Sequence, residues 1–297
     1  MTKIIGILAY VFLAATTVYA AWYLVAMPVL PEHYSPTWRQ QVPASKVVVH
    51  RGTFPGQLEN SLATISSVLA RFPNAEVEID VQETKDGKFV LLHDADLKRE
   101  TTGKGLVAET MLRELLGYAR KDRAGGATLH RIAQLEQVLG LLERYPKARL
   151  QIDAKLSEQK SYEALAESVV SWRTARNRIT ISSGNARVLQ TLRQHYPLLR
   201  LGFDASSVAK TGISARITRE IIERLDAIGV KTVYLDYLLL AHLPNAGTED
   251  FIRQLHIRGY EVVVWTVDNP LEFSRMLSLH VDKIITNRAD RALTAGR

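Results

Sequence analysis

A (β/α)₈ barrel of the TIM class, with a small β-hairpin insertion and one preceding transmembrane helix, is the fold this sequence predicts. Three observations predict it. From residue 46 onward nine short β-branched runs alternate with stretches of helical period, the pattern of βα units wound around a parallel sheet. Two of those runs are joined by a short segment ending in Asp86-Gly87, a strong hairpin signal. Residues 4–27 carry no charged side chain. Composition agrees with a folded chain: of 297 residues, 46% are apolar and 23% charged, which excludes a disordered or low-complexity protein. There is no cysteine, so disulfides, thiol nucleophiles and thiolate metal sites are excluded.

In chain order, the uncharged stretch comes first. Its 24 residues would make a helix of about 36 Å, enough to cross about 30 Å of hydrocarbon with some tilt. Trp22 and Tyr23 suit the far interface. Val18-Tyr19-Ala20 before Ala21 also fits a signal-peptide cleavage site. Residues 1–30 are therefore an anchor or a signal peptide. The apolar run continuing beyond Ala21 favours the anchor. Lys3 on the near side points the amino terminus toward the cytoplasm and places residues 31–297 on the other side. Pro31, Pro36 and Pro43 make residues 31–45 a stiff linker.

The barrel is expected over residues 46–297. Strands are expected at 46–50, 75–81, 88–92, 148–153, 178–182, 199–203, 231–235, 260–265 and 283–286, and helices near 60–71, 109–118, 132–144, 158–175, 185–195, 214–228, 248–258 and 270–279. A parallel crossover needs about a dozen residues. The runs 75–81 and 88–92 are too close for one and must be antiparallel. Removing 88–92 as a hairpin leaves eight parallel strands, which close a barrel.

Chemistry on such barrels occurs at the carboxyl ends of the strands. His50 ends the first, Glu78 and Asp80 the second, and Asp153 the third; the hairpin returns His93 beside Asp80. Residues 78 and 80 point to one face. Two adjacent carboxylates repel, and one stays protonated unless a cation is present. With Asp153 they form an all-oxygen set suited to Mg²⁺ or Ca²⁺. Histidines suit proton transfer near neutral pH. Arg51 and Lys155 are next to this cluster in sequence and can bind a phosphate or balance the acids. A divalent cation, two basic groups and a histidine pair together suit cleavage of a phosphodiester.

At these residues the chain resembles the glycerophosphodiester phosphodiesterase family. The likeness runs through His50-Arg51-Gly52, Glu59-Asn60-Ser61, Glu78-Ile79-Asp80-Val81, Thr84-Lys85-Asp86-Gly87, His93-Asp94 and Thr101-Thr102-Gly103, with weaker echoes at 151–155, 265–267 and 282–286. The resemblance implies hydrolysis of a glycerophosphodiester to glycerol 3-phosphate and an alcohol through a cyclic phosphate. It implies Glu78, Asp80 and Asp153 as metal ligands, His50 and His93 as acid and base, and Arg51 and Lys155 on the phosphate. Glu59 is implied to stand behind those residues and support them, or to lie on the glycerol side. The chain departs from the pattern at Leu58, where the family has proline, at Asp153, where it has glutamate, and at Ser182-Ser183-Gly184-Asn185, which lacks an expected aromatic residue.

The partner expected is a small-molecule or lipid-derived phosphodiester, with the membrane engaged through the amino-terminal helix. A lysophospholipid cut in the lysophospholipase D manner is the alternative substrate. An inactive, membrane-anchored binding barrel is the alternative class, and retention of both histidines and of the Glu78/Asp80 pair speaks against it. Nucleic acid is not expected: the net charge of +7 comes without a basic run interleaved with aromatics. Arg113, Arg120, Lys121, Arg123 and Arg131 form a loose basic cluster, read as a solvated surface or a face for anionic headgroups.

Overall fold

The computed structural model describes residues 42–294 except 174, 211–212 and 242–244. The apolar segment and most of the linker lie outside the described residues. Among those described, no helix is long and apolar enough to cross a membrane.

All nine expected strands are present: β1 (Val47–Val49), β2 (Glu76–Glu83), β3 (Phe89–Leu91), β6 (Arg149–Ala154), β7 (Ile179–Ser183), β8 (Arg200–Asp204), β9 (Thr232–Asp236), β10 (Glu261–Trp265) and β11 (Lys283–Thr286). Two more, β4 (Ala119–Lys121) and β5 (Ala127–Arg131), form a separate antiparallel pair. Eight strands run parallel, and β1 pairs with both β11 and β2, which closes the barrel. Strand β3 is the excursion, antiparallel to β2 with Val81 opposite Leu91. Its turn places Gly87 at φ 72°, where a side chain would be strained.

The period-2 alternation of the strands sorts the barrel interior into layers. At the amino-terminal ends, Lys283 Nζ bridges Glu76 and Glu261, each at 2.9 Å, and Arg149 Nε reaches Glu76 at 3.3 Å. Above this ionic layer Val48, Tyr234, Val263 and Ile285 pack as an apolar plug. The Tyr234 ring fits because residue 202 is glycine: a Cβ there would lie 2.3 Å from the ring. The third layer is the mouth. Outside the barrel, Ile65, Val77, Ile79, Leu165, Leu189, Ile221 and Phe251 belong to the large core between sheet and helices.

The insertion is larger than one hairpin. Between β2 and the helix Leu135–Glu143 the chain adds β3, a helical turn at Leu112–Leu115 and the β4–β5 pair. These enclose a small core of Val90, Leu92, Leu97, Val107, Leu115 and Ile132. The helix expected over 109–118 shrinks to that turn: Val107–Glu109 forms a separate 3-10 turn before it, and the chain leaves the helix at Leu116 to enter β4. One residue of the basic cluster is also corrected. Arg113, Arg123 and Arg131 are exposed, but Arg120 is fully buried. Its guanidinium bonds the Glu100 carboxylate at 3.0 Å and the carbonyls of Glu59 and Asn60 at 3.1 and 3.2 Å. Arg120 therefore ties the insertion to the loop that follows β1.

Glu100→Ala removes the counter-charge of buried Arg120, and breaking such a pair costs about 3–5 kcal/mol. Urea denaturation of the variant is expected to show a loss of that size; a midpoint equal to the wild type contradicts this account.

Candidate active site

Strands β2 and β6 are in parallel register, with Glu78 beside Gln151 and Asp80 beside Asp153. Their inward faces meet at the mouth, and oxygens of Glu78, Asp80 and Asp153 all lie within 4.8 Å of one another. Two contacts fix the pair on β2. The backbone N–H of Arg51 donates to Glu78 Oε2 at 2.8 Å. Asn60 donates from Nδ2 to Asp80 Oδ2 at 2.9 Å and accepts the Asp80 N–H at 3.1 Å. Arg51 and Asn60 both take left-handed φ values, 50° and 51°, an uncommon state for non-glycine residues. The Asn60 N–H bonds the Arg51 carbonyl at 2.8 Å, so one tight loop carries both supports.

Crowding governs the electrostatics. Burial, then Asp80 and Asp153, raise the Glu78 carboxyl well above its ordinary value. Burial also raises Asp153, against the pull of Lys155. Lys155 Nζ sits 2.5 Å from Asp153 and 3.5 Å from Asp80. Burial opposes its charge, yet those carboxylates raise its pKa. Arg51 Nε is 3.3 Å from Asp80, and Nη1 bonds Glu59 at 3.0 Å. An all-oxygen donor set holding a carboxyl driven toward its neutral form fits a divalent cation, which would stabilise the ionised acids.

His50 and His93 enter the same mouth. His50 Nδ1 lies 2.8 Å from Asn287 Oδ1, and Nε2 lies 3.9 Å from Glu78 Oε2. Burial, then the Arg51 charge, lower the His50 pKa. His93 follows β3, as the hairpin reading requires; its Nδ1 is 2.7 Å from Asp94 Oδ1 and its N–H donates to Glu100 at 3.0 Å. Both histidines, Arg51, Glu78, Asp80, Asp153 and Lys155 line one cavity of about 170 Å³. Glu59 is not in its wall. It stands behind, between Arg51 and Arg99, with Arg99 Nη1 at 3.2 Å from its other oxygen.

Several residues of the site escape the sequence reading. Arg99 binds three carboxylates, those of Asp94, Glu59 and Glu100. It thereby links the His93 support to the Arg51 support, and its bond holds the Asp94 carboxyl far below the usual range. Gln151, Asp204, Tyr234 and Trp265 also line the cavity. The period-2 rule applied to β6, β8, β9 and β10 points all four inward, which is the signal that could have found them.

A closed barrel whose mouth gathers carboxylates, histidines and cations in one cavity suits the hydrolysis of phosphoric esters. The particular family follows from comparison. The chain belongs to the glycerophosphoryl diester phosphodiesterase family, whose model matches residues 50–291. A glycerophosphodiester phosphodiesterase of Bacillus altitudinis is 27% identical over 260 residues, covering 84% of this chain and 97% of its own. Solved structures share the fold. An Oleispira antarctica phosphodiesterase in complex with the product sn-glycerol-3-phosphate has a TM-score of 0.68 at 20% identity, covering 86% of this chain and 96% of its own. A Parabacteroides distasonis glycerophosphoryl diester phosphodiesterase gives 0.67 at 24%, covering 86% of each chain.

A carboxyl raised in the folded state stabilises fully below its unfolded pKa, about 4.3 for glutamate, and that contribution is lost as pH rises through the folded value. Glu78→Gln removes the ionisation. With a chelator present, the stability of Glu78→Gln relative to wild type is expected to increase as pH rises above about 4.3. A divalent cation held by the ionised wild-type cluster would reverse the order, and saturating Mg²⁺ is the probe. Melting curves across pH, with and without the ion, check both signs.

Proposed function

We propose that the chain hydrolyses glycerophosphodiesters to glycerol 3-phosphate and an alcohol by histidine acid–base catalysis supported by a divalent cation. The observation that carries this reading is the shared cavity: His50, His93, three carboxylates and two cationic side chains line one small mouth. Glu78, Asp80 and Asp153 would hold Mg²⁺ or Ca²⁺, which supplies charge stabilisation to the crowded phosphate oxygens.

The protein groups act around the phosphate. Arg51 and Lys155 bind it with the donors not spent on Glu59, Asp80 and Asp153. Buried His50 is the base: its lowered pKa keeps it neutral, and it accepts the proton of a glycerol hydroxyl as that oxygen bonds to phosphorus. His93 is the acid and gives a proton to the departing alkoxide as its P–O bond breaks. The product of this half is a cyclic phosphate. In the second half the roles exchange: His93 takes a proton from water, the water oxygen bonds to phosphorus, and His50 returns its proton to the ring oxygen that leaves. Each histidine ends in its starting state.

Residues 1–30 are proposed to anchor the chain, with the barrel on the non-cytoplasmic side. The linker meets the barrel at Lys46, whose ammonium bonds the Val281 carbonyl at 2.8 Å. That is the amino-terminal end of the strands, opposite the mouth. A tether there leaves the mouth facing away from the attachment point, which favours soluble diesters over a lysophospholipid held in the bilayer.

The test is release of glycerol 3-phosphate from glycerophosphocholine, glycerophosphoethanolamine and a lysophospholipid, after chelation and with Mg²⁺ or Ca²⁺ restored. Activity is expected on the soluble diesters, only with the ion. His50→Ala and His93→Ala should each lower kcat by about 10²- to 10⁴-fold. A folded protein that releases nothing from any of the three overturns the reading, and release from the lysophospholipid alone overturns the substrate choice.

A further inference from the structure

We propose that Asn287 and Asp268 are positioning residues that hold His50 as its Nδ1–H tautomer and so leave Nε2 as the reacting nitrogen. The proposal deepens the acid–base reading of His50 given above and rests on it for its catalytic meaning.

The argument runs inward from Asp268, in the loop after β10. An ionised carboxylate only accepts hydrogen bonds. Asp268 Oδ1 accepts the Asn287 backbone N–H at 2.8 Å and the hydroxyl of fully buried Thr286 at 3.1 Å. Those contacts set the carboxylate in place. Its second oxygen lies 2.7 Å from Asn287 Nδ2. Only the NH₂ end of the amide can face an acceptor at that distance. The flipped amide would press oxygen against oxygen. Asp268 therefore decides which end of Asn287 is which.

The consequence reaches His50. With Nδ2 directed at Asp268, the amide oxygen faces His50 Nδ1 at 2.8 Å. A carbonyl oxygen has no proton to give, so Nδ1 must carry one. Neutral imidazole has one N–H. Nε2 then bears the lone pair, and it is the nitrogen on the cavity side, 3.9 Å from Glu78. The Thr286 hydroxyl oxygen also accepts the Arg288 N–H at 3.0 Å, which fastens the end of β11 under the relay. None of these residues needs to touch substrate.

The relay is uncharged where it meets the histidine. A carboxylate in contact with Nδ1 would form an ion pair with the imidazolium. The amide instead orients a neutral ring, and the negative charge stands one residue further back. The contact at Nδ1 orders the ring without placing a formal charge against it.

The experiment is ¹⁵N NMR of the full chain with labelled histidine, read at a pH where His50 is neutral, together with kcat and KM on glycerophosphocholine. The wild type is expected to show His50 Nδ1 protonated and Nε2 with the shift of a bare nitrogen. Asn287→Leu and Asp268→Ala should each give a mixture of tautomers and lower kcat by about 10- to 100-fold, with KM little changed. The exchanged pair, Asp268→Asn with Asn287→Asp, keeps an acceptor at Nδ1 and a donor behind it. It should restore the single tautomer of the neutral ring, a result that loss of packing alone does not predict, while the carboxylate now against Nδ1 favours the imidazolium and keeps kcat below the wild type. Protonation at Nε2 in the wild type, or a tautomer unchanged in both single variants, overturns the proposal. If a single variant does not fold, the exchanged pair alone decides, since a mixed tautomer there also overturns it. Full activity in His50→Ala would instead overturn the acid–base reading and leave the tautomer assignment standing.

Discussion

Three carboxylates with oxygens within 4.8 Å of one another form the constraint around which the mouth is built. Parallel register imposes it, since β2 and β6 set Asp80 beside Asp153 and the pleat adds Glu78 on the same face. Like charges this close cannot all ionise unaided. The surroundings answer in two ways. Lys155 and Arg51 approach the outer acids, at 2.5 Å from Asp153 and 3.3 Å from Asp80. Glu78, buried beside both of the others, is driven toward its protonated form. The site is thus satisfied at the rim and deficient in positive charge at its floor, which is where a divalent cation fits.

The insertion serves the same mouth from outside. Arg120 spans from Glu100 to the carbonyls of Glu59 and Asn60, and Asn60 in turn clamps Asp80. Arg99 joins Glu59 to Asp94. The loop after β1 and the loop after β3 are consequently one polar network with two arginines at its joints. His93 depends on it through Asp94 and Glu100, and Arg51 depends on it through Glu59. This gives Glu59 a structural meaning: it couples the supports of His93 and Arg51, although it does not line the cavity.

What the sequence made legible follows a short-range rule. Strand ends, the two-residue spacing of Glu78 and Asp80, and the turn at Asp86-Gly87 are local. They suffice to bring His50, Glu78, Asp80, His93 and Asp153 together. The β4–β5 pair was hidden because its exposed strand, Ala127–Arg131, has little alternation; the pair adds no residue to the insertion's apolar core and is tied down through Arg120. Arg120 looked like a surface charge because nothing nearby in sequence reveals a buried acid twenty residues away. Asn287 lies 237 positions from His50, and only barrel closure between β1 and β11 makes them neighbours.

That closure also explains why the two histidines are not equivalent. Both have Nδ1 engaged, but by different partners. His93 meets a carboxylate, Asp94, itself bound to Arg99. His50 meets an amide backed by Asp268. His50 is buried and its pKa is lowered, whereas His93 is about one-third exposed at the rim. A base that must start neutral gains from the buried, amide-bound setting of His50. The division of labour proposed for the two rings rests on this difference in partners. One partner sits at the seam where the last strand meets the first, and the other in the hairpin excursion. A plain barrel would supply the seam; the excursion is what adds the second histidine with an electrostatic setting of its own.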